Sequence, residues 1–412
     1  MTNLLFTIIW QIVLPLVVTC VVFYIILWLM GQHHVAKWST KVILLAAIFL
    51  PFWVTFTSTA LVRFTQGLGP VSGMNDNFPW GIWIGFDMLC GVALAAGGFV
   101  MAGLVHVFRV ERFHGMLRPA ILTAFLGYLL VVGGLIFDLG RPYRIWHPLL
   151  YWQHTSVMFE LGWCVSVYNT ILALEFSPMV LEKLPFKWPL RIVEWLTPLF
   201  VVLGITLSTM HQSSLGSLYV IMPGKLHPLW WTPMLPVLFF VSAVAVGPAM
   251  VTVENIISGR LAHHKPQVDL LAELGKYSGL VLIFYLVLRL GSLTSHGVWE
   301  YAFQPRWITM SFWLEILLGS VVPIILFSIP TLRSKLSVVV TAASLTVFGI
   351  ILNRLNVSIF GLLDYTGLVY MPTLREISVT ITLVTIGVAS FALAARYLNV
   401  FSEHHEPQPK LP

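Results

Sequence analysis

The sequence predicts an all-α membrane protein, a bundle of ten or eleven spanning helices, on three observations. Charged residues make up only 10% of the 412 residues and apolar ones 58%, with a mean hydropathy of +0.88; a water-soluble domain carries roughly 25% charged residues to wet its surface. Eleven stretches are apolar over about the 20 residues needed to cross some 30 Å of hydrocarbon. No alternating strand pattern of a membrane barrel occurs, and backbone in lipid must satisfy itself as helix or closed barrel. The same balance excludes a cytosolic enzyme, a nucleic-acid binder and a disordered chain.

The apolar segments run 5–30, 42–63, 82–108, 119–137, 156–175, 190–212, 232–257, 275–294, 308–329, 336–355 and 377–397. The first lacks a basic leader and a small-residue cleavage site, so residues 1–35 are expected to be an additional retained anchor, 36–400 the bundle, and 401–412 a cytoplasmic tail. Counting lysines and arginines sets the orientation. With the N-terminus outside, fifteen of them, from Lys37 to Lys410, fall in inward loops and the tail. Six fall outside: Arg63, Arg141, Arg144, Lys225, Arg306 and Arg375. The expected topology is N-out, C-in, in a bacterial or archaeal cytoplasmic membrane. No loop is long enough for a soluble catalytic domain, so any redox electrons must come from a partner.

Ionisable residues inside a span cost a few kcal/mol or more unless paired or wetted, which makes each a functional candidate. Asp87, Asp138, Glu160, Arg289, Glu315 and Arg354 are such residues, with Glu194 and Glu254 nearer the inner side and His106, His211 and Tyr128 alongside. Under the expected topology most of them lie in the outer half. A polar pocket near the outer side with a proton route inward is the functional reading. Helix-dipole stabilisation of Asp87 and Glu160, with Arg289 and Arg354 snorkelling outward, is the plainer one. The small-residue run Cys90–Gly98 permits close approach of a neighbouring helix or of a flat ligand, with packing the simpler explanation. Trp80, Trp83, Trp146, Trp152, Trp230, Trp231 and Trp307 are read as an interfacial aromatic belt.

No metal bound by this chain is expected. Cys20, Cys90 and Cys164 lack CxxC spacing. A membrane b-haem needs two axial histidines at matched depth. His106 is placed at an inner helix end and His211 near an outer one, His296 lies just past a helix, and His33, His34, His263 and His264 are in loops. No haem is therefore expected.

Six strings give a more specific reading. Pro79-Trp80-Gly81-Ile82-Trp83-Ile84-Gly85-Phe86-Asp87, with the glycine-rich run behind it, resembles the opening helix of the NrfD/polysulfide-reductase membrane subunits. Phe137-Asp138-Leu139-Gly140-Arg141, Ser156-Val157-Met158-Phe159-Glu160, Ala173-Leu174-Glu175-Phe176-Ser177-Pro178, Met210-His211-Gln212-Ser213-Ser214-Leu215-Gly216-Ser217-Leu218 and His227-Pro228-Leu229-Trp230 are similar to the HybB-like branch, found in hydrogenase-2-type complexes. The resemblance implies a haem-free bundle of two four-helix repeats plus flanking helices. It implies exchange of electrons between a periplasmic iron–sulfur partner and menaquinone or ubiquinone, with a catalytic subunit such as a NiFe hydrogenase behind that partner. Sibling branches are sulfur-metabolism (DsrP-like) subunits and the high-molecular-weight cytochrome complex. By resemblance Asp87, Gly91, Asp138, Arg141, Glu160, His211 and Gln212 form the quinone pocket. Asp87, Asp138, Arg141 and His211 act at the quinone, and Tyr128, Glu160, Glu254 and Glu315 conduct protons, possible translocation included. A proton or ion transporter, or a purely structural anchor, are the competing classes. The first predicts acids at the midplane among broken helices such as at Gly247-Pro248 and Pro323; the second predicts that no quinone binds.

Overall fold

The computed structural model describes residues 40–401 except 77, 79, 263–265, 368 and 369, and side chains from 48 onward except 260–262. The 5–30 segment with residues 1–35, His33, His34, Pro79, His263, His264, Lys265 and the tail after 401 lie outside the described residues. Among the described residues there is no β-strand, and ten helices are long and apolar enough to cross a membrane. They are α1 (Thr40–Gln66), α2 (Trp83–Val107), α3 (His114–Asp138), α4 (Val157–Leu181), α5 (Trp188–Val220), α6 (Leu235–Ala262), α7 (Val268–His296), α8 (Trp307–Ser328), α9 (Leu336–Ser358) and α10 (Leu374–Tyr397). These match ten of the eleven expected segments. The loops after α1, α3, α5, α7 and α9 share one face, here termed outer after the count of basic residues.

Helices α2 and α6 are the most enclosed, and the small residues of α2 explain how. A Cβ on Gly98 would lie 2.5 Å from the Ala124 Cβ of α3, and one on Gly97 would lie 2.9 Å from Val251 of α6. The Cys90–Gly98 run is thus largely a packing device, holding α2 between α3 and α6. Pro248 does not break α6, which is continuous past it. Pro323 follows a widened π turn at Leu317–Val321 in α8; the wider turn accommodates the carbonyl displaced by the proline ring. A further π segment, Trp83–Met88, opens α2 and carries Asp87.

At the α8–α9 crossing, Gly319 and Gly349 meet so closely that a Cβ on either would strike the other's backbone. Gly349→Ala is expected to push these helices apart and cost about 1–3 kcal/mol, the usual penalty for overpacking. Thermal unfolding of the solubilised protein reads this out; an unchanged midpoint would show that the crossing yields freely.

On the outer face Glu376 ties two loops to the start of α10. It completes a capping box with Thr373 at the start of α10. Its carboxylate also accepts from the Gly73 amide at 2.9 Å and the Tyr370 hydroxyl at 2.6 Å. Burial and this hydrogen bond to Glu376 both push the Tyr370 phenol well up. Nearby, Arg63 is buried at the end of α3, donating from Nε to the Phe137 carbonyl at 2.6 Å and from Nη2 to the Leu139 carbonyl. A cation there complements the negative end of the helix dipole.

Candidate functional site

A cavity of about 350 Å³ lies between α2, α3, α6 and α10. Its walls are apolar, formed among others by Phe86, Leu94, Leu126, Leu130, Met250, Leu383 and Phe391, and two carboxylates line it: Asp87 and Glu254. Ile257 on α6 and Val384 and Val388 on α10 line it and are exposed, so the cavity opens toward lipid. Its lining on α10 runs from Leu383 to Phe391, roughly 12 Å at 1.5 Å per residue.

Asp87 marks the outer end. It lies four residues into α2, with Gly134 of α3 against its Cβ and its Oδ2 accepting from Thr380 Oγ1 of α10 at 2.8 Å. Glu254 marks the inner end, 19 residues from the start of α6 and thus roughly 28 Å along it. It is buried beside Thr123 of α3, and neither its Oε2 nor the Thr123 hydroxyl makes a hydrogen bond of ordinary geometry. Gly91 and Cys90 complete the α2 wall.

Behind this wall lies a second polar group. His211 of α5 is fully buried with both ring nitrogens unpartnered, packed edge-on against Tyr128 at 5.6 Å between ring centres; Tyr128 in turn meets Tyr168 of α4 at 4.7 Å. Ser208 stands beside both phenols, and neither it nor the Tyr128 hydroxyl makes a hydrogen bond of ordinary geometry. Gln212 donates to the Val92 carbonyl of α2 at 3.0 Å, leaving its own Oε1 free. Gly91 and Gly127 face the cavity while the next residues, Val92 and Tyr128, meet this cluster. Successive residues on a helix point about 100° apart, so α2 and α3 form a partition one helix thick.

The remaining expected residues lie apart. Of the seven assigned to one pocket, the structure brings Asp87 and Gly91 to the cavity, and His211 and Gln212 to the cluster behind it. Asp138 is in the field of Arg63 at the outer end of α3, with its Oδ1 unpartnered. Arg141 is an exposed loop residue and does not reach the cavity. Glu160 accepts from Ser214 Oγ across the α4–α5 contact at 2.5 Å. Glu315 belongs to a third group among α6–α9 and the loop before α6. It accepts from Trp230 Nε1 at 2.9 Å, Asn353 Nδ2 at 2.8 Å and Asn356 Nδ2 at 2.7 Å. The same group holds Arg354, which donates to Asn353 and Ser242 (both 2.8 Å), and Arg289, which donates to the Leu229 carbonyl at 2.7 Å. Sequence reasoning missed Thr380, Thr123, Ser208 and Tyr168. The one available signal was the alternation of Ser378, Thr380 and Thr382 along an otherwise apolar helix.

His227, in the outer loop before α6, accepts at Nδ1 from the Leu229 amide (3.2 Å), and its Nε2 lies 3.6 Å from Asp364, itself held by both Nη atoms of Arg306. Burial lowers the imidazole's pKa, Asp364 opposes this and Arg306 reinforces it. A histidine exposed by loop opening titrates near 6.5. The open form therefore binds more protons, and the closed loop loses stability as pH falls below about 6.5. Amide exchange at 226–231, relative to intrinsic rates, should rise from pH 7 to 5, and His227→Gln should abolish the dependence. A pH-independent opening in the native protein would contradict it.

Residues 70–364 match the family described as polysulphide reductase, NrfD. A protein of Nitratidesulfovibrio vulgaris is 40% identical over 355 residues, covering 84% of this chain and 91% of its own. The probable Ni/Fe-hydrogenase 2 b-type cytochrome subunit of Escherichia coli K12 is 32% identical, over 86% of this chain and 91% of that one. The integral membrane subunit of menaquinone reductase from N. vulgaris is 27% identical, over 83% and 87%. With ten spanning helices among its described residues and this match across most of its length, the chain belongs to the NrfD family of multi-pass integral membrane proteins.

Proposed function

We propose that this chain is the quinone-reactive membrane subunit of a respiratory oxidoreductase complex, and that the lipid-open cavity with Asp87 and Glu254 takes the quinone ring. The supporting observation is the cavity itself: apolar walls suited to a prenylated ring, a lateral opening to lipid, and a carboxylate at each end. Its volume falls in the range of small-molecule sites. Electrons come from a periplasmic iron–sulfur partner, and behind it a NiFe hydrogenase or another catalytic subunit. The similarity to both a hydrogenase-2 and a menaquinone-reductase subunit supports that setting. Reduction consumes two electrons and two protons to give the quinol; menaquinone and ubiquinone both satisfy this chemistry. Asp87, fixed by Thr380 and Gly134, is the general acid toward one carbonyl oxygen. Glu254 hands protons into the inner end, the side from which uptake would build a membrane potential.

The cluster of Tyr128, Ser208, His211 and Gln212 is the proton reservoir behind the α2–α3 wall. Unpartnered buried polar atoms cost about 1–3 kcal/mol each, and a string of them is the setting that ordered water bridges. Glu160, near the outer end of α4, is the outer station of that route. The intact complex carrying Glu160→Gln should keep its dye-coupled partner activity while quinone reduction falls. Unchanged quinone kinetics would refute this role.

The described histidines do not fit a b-haem. Among the described residues His211 is the one histidine buried within a span, and bis-histidyl ligation needs two facing each other. The polar groups also argue against an ion transporter: Asp87, Glu160 and His211 lie toward the outer ends of their helices rather than at breaks near the midplane.

A further inference from the structure

We propose that the loop over residues 141–155 is a membrane-surface element, seated in the outer headgroup layer and holding an anionic phospholipid through Arg141 and Arg144. The loop joins the outer ends of α3 and α4, which sets it at the edge of the hydrocarbon. It is built as a short turn, Pro142–Arg144, and one helical turn, His147–Leu150. Pro148 seats against Gly162 of α4, and Trp152 packs on Trp163 of the same helix with ring centres 6.3 Å apart, so the platform is fixed.

Its apolar side chains point away from the protein. Tyr143, Leu150 and Tyr151 are 68%, 70% and 66% exposed, with Trp146 and Trp152 about half so. Both indole N–H groups are already used inside the loop: Trp146 donates to the Tyr143 carbonyl at 2.9 Å and Trp152 to that of Leu149 at 3.0 Å. The rings can therefore enter the acyl boundary without stranding a donor.

The charges complete the case for lipid. The stretch 139–156 contains no Asp or Glu. Of the six outward basic residues, four are occupied by the protein. Arg63 holds the end of α3, Arg306 pairs with Asp364, Arg375 donates to the Pro70 carbonyl, and Lys225 lies over the Tyr365 ring. The side chain of Arg141 has no polar contact among the described residues, and that of Arg144 only rests over the Tyr143 ring. Two exposed guanidiniums flanked by aromatic and aliphatic side chains, at helix-end depth, match phosphate oxygens above an acyl layer.

The test uses the intact complex in nanodiscs of phosphatidylcholine with a minor fraction of phosphatidylglycerol. Native mass spectrometry then counts phosphatidylglycerol retained on delipidation, in wild type and in the double variant Arg141→Gln/Arg144→Gln. Retention should fall by roughly tenfold in the variant, with phosphatidylcholine unchanged. A nitroxide attached through Tyr151→Cys supplies a second reading. It should be shielded from aqueous quencher in nanodiscs, whether or not the peripheral subunits are present. Equal phosphatidylglycerol retention, a water-exposed label, or shielding that depends on a peripheral subunit would each overturn the proposal, the last by assigning the loop to a protein interface.

Discussion

Asp87→Asn is expected to lower quinone reduction by the intact complex about a hundredfold or more, with the partner's dye-coupled activity unchanged. The magnitude is that of losing a positioned general acid. Asparagine keeps the volume against Gly134, and its carbonyl can still accept from Thr380, so the local packing survives. What is lost is a proton that can be handed to a carbonyl oxygen at the outer end of the cavity. Thr380→Val, which removes only the hydroxyl that orients the carboxylate, should produce a smaller loss. Steady-state assays with a soluble quinone analogue, run beside the dye assay, separate these outcomes. Wild-type turnover in Asp87→Asn would remove this residue from the chemistry.

Glu315→Ala is expected to have the largest effect on stability, of about 3–5 kcal/mol, the range for breaking a buried charged network by removing one member. The Glu315 carboxylate accepts from three donors, Trp230, Asn353 and Asn356, all buried. Its loss strands these donors and leaves the guanidiniums of Arg289 and Arg354 without the one carboxylate of the group. Glu315→Gln should be milder than alanine, because the amide retains one acceptor. Thermal unfolding and membrane yield of both variants read this out; an alanine variant as stable as wild type would show that the network contributes nothing to the fold. Its three donors mark Glu315 as the organiser of the α6–α9 half of the bundle.

The sequence made the membrane bundle legible because hydropathy and length act residue by residue. Ten spans among the described residues follow directly from them, and so does the place of each acid along its helix. Which acids meet was not legible, because contact depends on how helices rotate about their axes. The stretch holding Asp87 and Gly91 could be recognised in sequence, yet Glu254 joins Asp87 only because Gly97 and Gly98 bring α6 and α3 against α2. Arg141 follows Asp138 by three residues, but α3 ends between them and the loop turns the arginine outward. Glu376 was readable as a helix cap from Thr373-x-x-Glu376. Its bond to Gly73 crosses from another loop and had no local sign. Pro248 is a warning of the same kind: in a span, a proline inside tight helix packing need not mark a break.

The central claim, that quinone binds between α2, α6 and α10, is tested most directly by photo-cross-linking the intact complex in its membrane with an azido-quinone and mapping the labelled peptides. Saturable labelling within 86–95, 250–258 or 383–391, suppressed by excess unlabelled quinone, is the predicted result. Labelling confined to the outer loops at 221–234 and 297–306, or labelling that excess quinone does not reduce, would contradict it.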